Sequence, residues 1–142
     1  MHQNRREFLK TCGAISTGIL CSSGALVLPG CSGLRYIPFE TAGNSLVVKK
    51  AEFIEKPFAA VKTRNLPAPI YIYKLDEENY SALLMECTHK KCELSAAGAL
   101  LICPCHGSEF SNTGEVLNPP AEKPLYKFDV KIDGENVLIE IG

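Results

Sequence analysis

Cys87-Thr88-His89-Lys90-Lys91-Cys92 and Cys103-Pro104-Cys105-His106-Gly107-Ser108 are the stretches that decide how this chain is read. Each holds a Cys and a His close enough to grip one metal centre together, plus one further Cys. Thiolates are soft ligands suited to iron–sulfur clusters or zinc, and neutral imidazole suits iron or zinc. One iron–sulfur centre takes two thiolates on one iron and two imidazoles on the other. A Cys-x-His loop (Cys87, His89) and a Cys-x-x-His loop (Cys103, His106) supply that set. Cys92 and Cys105 remain, one per loop, and could close a disulfide between them.

Three other chemistries use the same residue types. A zinc staple would turn the segment into a purely structural element, and Cys-x-x-Cys spacing often marks one. The spacing here is Cys-x-His and Cys-x-x-His, which argues for mixed ligation instead. A redox dithiol at Cys103 and Cys105 would leave His89 and His106 without a role. A Cys–His nucleophile pair would need an orienting third group and an oxyanion motif, and neither accompanies it.

With both loops in view, the chain resembles the membrane-anchored Rieske iron–sulfur proteins of cytochrome bc-type quinol-oxidising complexes. The resemblance rests on Cys87-Thr88-His89-x-x-Cys92 and on Cys103-Pro104-Cys105-His106-Gly107-Ser108-x-Phe110, and extends from about Tyr80 to the C-terminus. It implies a [2Fe–2S] cluster with Cys87 and Cys103 on a buried iron and His89 and His106 on an exposed one. It also implies a Cys92–Cys105 disulfide, a Ser108 hydroxyl donating to a cluster sulfide, and a proline-rich loop, here Pro119 and Pro120, covering the site. A plain rigid turn would use the same prolines. Imidazole ligation makes such a cluster less negative, which raises its potential, and the free ring nitrogens allow reduction to couple to protonation.

Outward from the loops, the pattern is that of short strands. Tyr80 to Met85 runs into Cys87, and Ile70-Tyr71-Ile72-Tyr73 precedes it across a polar turn at Asp76-Glu77-Glu78-Asn79, a hairpin signature. Ala99-Leu100-Leu101-Ile102 delivers Cys103 in the same way, so both ligand loops hang from strands. Tyr126, Phe128, Val130 and Ile132 alternate with polar residues; Asp133-Gly134 marks a turn; Val137, Ile139 and Ile141 alternate again. Leu46 to Phe53 is a further expected strand, and Pro57 to Thr63 a weaker one placed at an edge because it contains proline. The expected fold is a small all-β antiparallel sandwich or barrel of Rieske type with a cluster-binding subdomain, spanning residues 45–142.

Ahead of it lie two other segments. Residues 1–31 read as a twin-arginine export signal and membrane anchor, since Arg5-Arg6 precedes an uncharged run from Thr11 to Leu28. The competing reading is an ordinary Sec signal peptide or anchor helix whose arginine pair follows the positive-inside bias. Those 18 residues would span about 27 Å as a helix. Leu28-Pro29-Gly30-Cys31 resembles a lipobox with Cys31 as the acylated residue, the competing reading being an uncleaved helix. Either ties the head to a membrane, and export suits a disulfide, which needs an oxidising compartment. Ser32 to Asn44 reads as a 13-residue tether.

Net charge is −1 for the chain of 142 residues, and from Ser32 onward 12 Lys and Arg face 15 Asp and Glu. No basic patch of the kind nucleic-acid binding needs is present. Two departures from the family pattern bear on function. Phe110 stands where high-potential members usually carry Tyr, and it has no hydroxyl to donate, which predicts a lower potential suited to menaquinol or a similar donor. Lys90 and Lys91 replace an apolar residue and Gly at the loop tip, which points to docking on an acidic surface. The functional expectation is one-electron transfer outside the cytoplasmic membrane. The donor would be a cytochrome b-like quinol-oxidising subunit and the acceptor a cytochrome c-like protein. Other contexts are an arsenite-oxidase-like molybdoenzyme small subunit, a stand-alone Rieske lipoprotein, or, in a different class, a zinc-stapled structural lipoprotein.

Overall fold

The computed structural model describes residues 33–142. The export signal, the anchor run and Cys31 lie outside the described residues. In chain order the strands are β1 (Glu40–Ala42), β2 (Ser45–Lys49), β3 (Phe58–Val61), β4 (Ile70–Lys74), β5 (Tyr80–Leu84), β6 (Ser95–Ala97), β7 (Leu100–Ile102), β8 (Glu109–Ser111), β9 (Val116–Asn118), β10 (Lys127–Asp133) and β11 (Asn136–Glu140). The small antiparallel all-β fold expected from the sequence is what forms. It comprises a seven-stranded sheet in the order β1-β2-β11-β10-β5-β4-β3 and a four-stranded sheet in the order β6-β7-β8-β9.

The alternating C-terminal pattern makes the clearest hairpin. Val130 pairs with Ile139 and Ile132 with Val137, so the apolar residues of both strands share one face. The chain reverses at Gly134, whose φ of +56° is cheap only for glycine. Tyr126, expected on this apolar face, instead precedes the strand and is exposed. In the β4–β5 hairpin, Oδ1 of Asp76 accepts the backbone N–H groups of Glu78 and Asn79, each at 2.9 Å. The Glu78 N–H foremost, with the Asn79 side chain, holds that carboxyl below the usual carboxylate range.

Period-two alternation explains why β3, β4 and β5 are almost wholly buried. One face sends Ala59, Val61, Ile70, Ile72, Tyr80 and Ala82 into a core shared with Leu46, Val48, Phe128, Val137 and Ile139. The other sends Phe58, Ala60, Tyr71 and Leu83 into a second core with Leu94, Leu101, Phe110 and the sulfur-bearing Cys87 and Cys103. The three strands are the shared floor of both. Each aliphatic side chain so buried contributes about 1.5–3 kcal/mol. Tyr71 also ties the layers directly: its hydroxyl donates to the Gly98 carbonyl at 2.5 Å, in the β6–β7 turn.

Two expectations are corrected. The strand read from Leu46 to Phe53 stops at Lys49, and Lys50–Phe53 is a 3-10 turn that drives Phe53 edge-on against Tyr80, with ring centroids 5.3 Å apart. The stretch read as a tether, residues 32 to 44, is sheet-paired at two places. Tyr36 bridges Ala60 of β3 in parallel, with the Ile37 N–H donating to the Ala60 carbonyl and the Ala60 N–H to the Arg35 carbonyl, each at 2.9 Å. A few residues on, β1 pairs with β2. One short segment thus reaches from β3, at one end of the sheet order, to β2 near the other. Its strand is three residues long and fully exposed, so no apolar period announced it.

Candidate metal centre

The two loops are built on one backbone frame. In the first, the Cys87 N–H donates to the Cys92 carbonyl at 2.8 Å and the Lys91 N–H to the Cys87 carbonyl at 2.9 Å. In the second, the Cys103 N–H donates to the Ser108 carbonyl at 2.8 Å and the Gly107 N–H to the Cys103 carbonyl at 3.0 Å. Each loop therefore begins on a Cys bonded to its sixth residue and turns through a left-handed fifth residue, Lys91 at φ +63° and Gly107 at φ +77°. The sequence placed both loops at strand ends, and they are: Cys87 follows β5 through Met85, and the second loop joins β7 to β8.

The frame sorts the predicted site residues by exposure. Cys87 and Cys103 are free thiols at 1% exposure. His89 and His106 are exposed, with ring centroids 5.1 Å apart in an edge-to-face arrangement. Cys92 and Cys105 form a disulfide between the loops. Burial pushes the Cys103 thiol up, but the backbone N–H groups of Cys105 and His106, aided by the Cys87 side chain, outweigh it and hold the thiol below its ordinary value. A pocket that favours the anionic form of a buried sulfur is suited to a metal thiolate.

A third segment holds both loops from one side. The fully buried Ser108 accepts the Ala121 N–H on its Oγ at 3.0 Å, which leaves the hydroxyl hydrogen free to be donated elsewhere. The Asn118 side chain donates to the Gly107 carbonyl at 3.1 Å, and the Thr88 hydroxyl donates to the Lys123 carbonyl at 2.7 Å. The stretch from Asn118 to Lys123, which includes Pro119 and Pro120, is thereby bonded to each loop. Thr88 sits inside the first Cys-x-His motif, whereas nothing in the sequence around Asn118 marks its contact. Phe110 is fully buried on β8, opposite Leu101, in the core that also holds both free thiols. Lys90 and Lys91 are exposed, and Lys91 leans on Glu86 at 2.6 Å.

A model of the Rieske [2Fe-2S] domain matches residues 44–129. A chloroplastic cytochrome b6-f complex iron-sulfur subunit from Oryza sativa subsp. japonica is 29% identical over 137 residues, covering 89% of this chain and 61% of the relative. The cytochrome b6-f complex iron-sulfur subunit of Chlorobaculum thiosulfatiphilum is 33% identical over 61 residues, covering 42% of this chain and 34% of the relative. This chain thus spans less than two thirds of the length of either. Among solved structures, the cyanobacterial plasma membrane Rieske protein PetC3 from Synechocystis PCC 6803 aligns with a TM-score of 0.56 at 29% identity, covering 64% of this chain and 93% of that one.

Proposed function

The chain belongs to the Rieske [2Fe–2S] domain family, and from that premise we propose that its head passes single electrons within a quinol-oxidising membrane complex of cytochrome bc type. The resident cofactor of the family is a [2Fe–2S] cluster, which when bound supplies a one-electron redox centre. The residues present fit it. Two free buried thiols and two exposed imidazoles in edge contact are the donor set such a centre takes, and that observation carries the reading. Cys87 and Cys103 would hold one iron through their sulfurs, and His89 and His106 would hold the other through imidazole nitrogen. The disulfide joins the two loops, and the stretch from Asn118 to Lys123 is hydrogen-bonded to each of them.

Support for the complex comes from two relatives named as cytochrome b6-f complex iron-sulfur subunits. The exposed imidazole edge is the face a redox partner meets, and Lys90 beside it favours an acidic partner surface, since Lys91 is already drawn to Glu86. The head faces the outside of a bacterial cytoplasmic membrane, tied there by the N-terminal segment. Among the described residues no helix is long and apolar enough to cross a membrane.

Electron paramagnetic resonance of dithionite-reduced protein tests the centre. Iron and sulfide at two per chain and a spectrum of low average g are expected, and both are lost in His89→Ala and in His106→Ala. Zinc in place of iron, with no such spectrum, overturns the reading. Co-purification of a cytochrome b-type subunit from solubilised membranes tests the complex, whereas a molybdoenzyme partner, or none, redirects it. Phe110 sets the finer expectation. A hydrogen bond worth about 1 kcal/mol to a ligand sulfur shifts a one-electron midpoint by about 40 mV. Phe110→Tyr should therefore raise the potential by about that much in voltammetry, and an unchanged or lower value refutes the account.

A further inference from the structure

Cys103 lies beside the bridge that joins the loops. The sulfurs of Cys92, Cys103 and Cys105 all lie within 4.8 Å of one another, and Cys103 is a free thiol. Disulfides isomerise when a thiolate attacks one sulfur of the bond and the other sulfur departs. Such a rearrangement needs no oxidant or reductant, because one disulfide is consumed and one is made.

We propose that in the cluster-free chain Cys103 exchanges with the Cys92–Cys105 disulfide. The Cys103 sulfur, as thiolate, bonds to the Cys92 sulfur; the Cys92–Cys105 bond breaks; and Cys105 leaves as the thiolate, recovering from solvent the proton that Cys103 gave up. Attack falls on Cys92 for two reasons. Cys105 is exposed, so water stabilises it as the leaving group better than the half-buried Cys92 that attack on Cys105 would expel. A Cys103–Cys105 bond would also have to close across Pro104 alone, whose ring fixes the backbone between them.

In one respect the inference rests on the proposed function, because it takes Cys103 as an iron ligand. A sulfur committed to metal is withdrawn from exchange, and a sulfur committed to Cys92 is withdrawn from metal. Metal loading and disulfide pairing then exclude each other's errors. A chain that oxidises before it is loaded drifts to an isomer lacking one ligand, so loading must come first or keep pace.

The test uses the full chain, stripped of metal by a chelator without denaturant and held at mildly alkaline pH. Free thiols are then blocked with N-ethylmaleimide. Digestion after glutamate, without reductant, cuts at Glu93 and Glu109, separating Cys92 from the peptide that holds Cys103 and Cys105. Fragment ions then locate both label and link. The expected result is a Cys92–Cys103 link with the label moved from Cys103 to Cys105, absent from the iron-loaded chain. Cys87→Ser, which removes a proposed ligand but keeps all three exchange partners, should show the same link without chelator. A quantitative Cys92–Cys105 link with label on Cys103 in both metal-free samples overturns the exchange. Links spread equally over Cys87 and the N-terminal cysteines, the mark of an unfolded chain, also overturn it. The new link appearing equally in the iron-loaded chain would leave the exchange standing and overturn the assignment of Cys103 as a ligand.

Discussion

The loop from Cys87 to Cys92 and the loop from Cys103 to Ser108 share a backbone and differ in what they hang on it. Both open on a buried Cys and close their first residue onto the sixth at the same 2.8 Å. The third position carries His89 in one and Cys105 in the other; the fourth carries Lys90 and His106; the sixth carries Cys92 and Ser108. The left-handed fifth position is Lys91 in one and Gly107 in the other. The turn is thus a general device for presenting a sulfur at the floor of a site, and the chemistry is written by side chains that do not alter it. It also explains a departure met in the sequence. The family's Gly at the position of Lys91 answers a left-handed backbone requirement, which Lys91 meets under strain.

If the loops act as one unit, the largest loss should follow from cutting the link between them. Replacing Cys92 and Cys105 together by Ala frees a bridge across 13 positions and is expected to lower unfolding free energy by about 3 kcal/mol in a denaturant titration. No loss would mean that the shared third segment alone suffices. Ser108→Ala removes the acceptor of the Ala121 N–H inside a buried contact and is expected to cost about 1–3 kcal/mol by the same measurement.

The fifth positions give the most direct test of likeness. No atom lies within 4 Å of a Cβ added at Gly107, so Gly107→Ala pays only for its left-handed backbone, about 1–2 kcal/mol. Lys91→Gly should move the other way. Relief of strain is offset by the freedom glycine has when unfolded and by a weak exposed ion pair with Glu86. The net expectation is a gain of about 0.5 kcal/mol. A loss at Lys91 matching that at Gly107 would show that the two turns are not equivalent.

How much of this could be read beforehand follows from element length and from which groups carry the contacts. The β10–β11 and β4–β5 hairpins are long enough for two or three full alternations, so their apolar faces were visible; only Tyr126 was misplaced, at a strand end where the period has no neighbour to enforce it. β6, β8 and β9 have three residues each, too few to show a period, and they went unseen. The metal-binding residue types were legible because their spacing is chemically restrictive. The equivalence of the loops was not, because it resides in backbone N–H and carbonyl groups that every residue owns. The hold of the stretch from Asn118 to Lys123 on both loops was hidden for the same reason, since Thr88 and Ser108 bond there to main-chain atoms rather than to partners with recognisable side chains.

The parallel bridge of Tyr36 to Ala60, followed at once by the pairing of β1 with β2, settles a matter of self-association. Unpaired strand margins recruit copies of themselves, and a four-residue strand as apolar as β3 would be a strong template. Here the lead-in of the head lies along that margin like a selvedge and then turns to finish the opposite side with a stub too short and too exposed to seed a ladder. The same few residues that lead into the domain thus occupy the edge on which a second copy would otherwise pair.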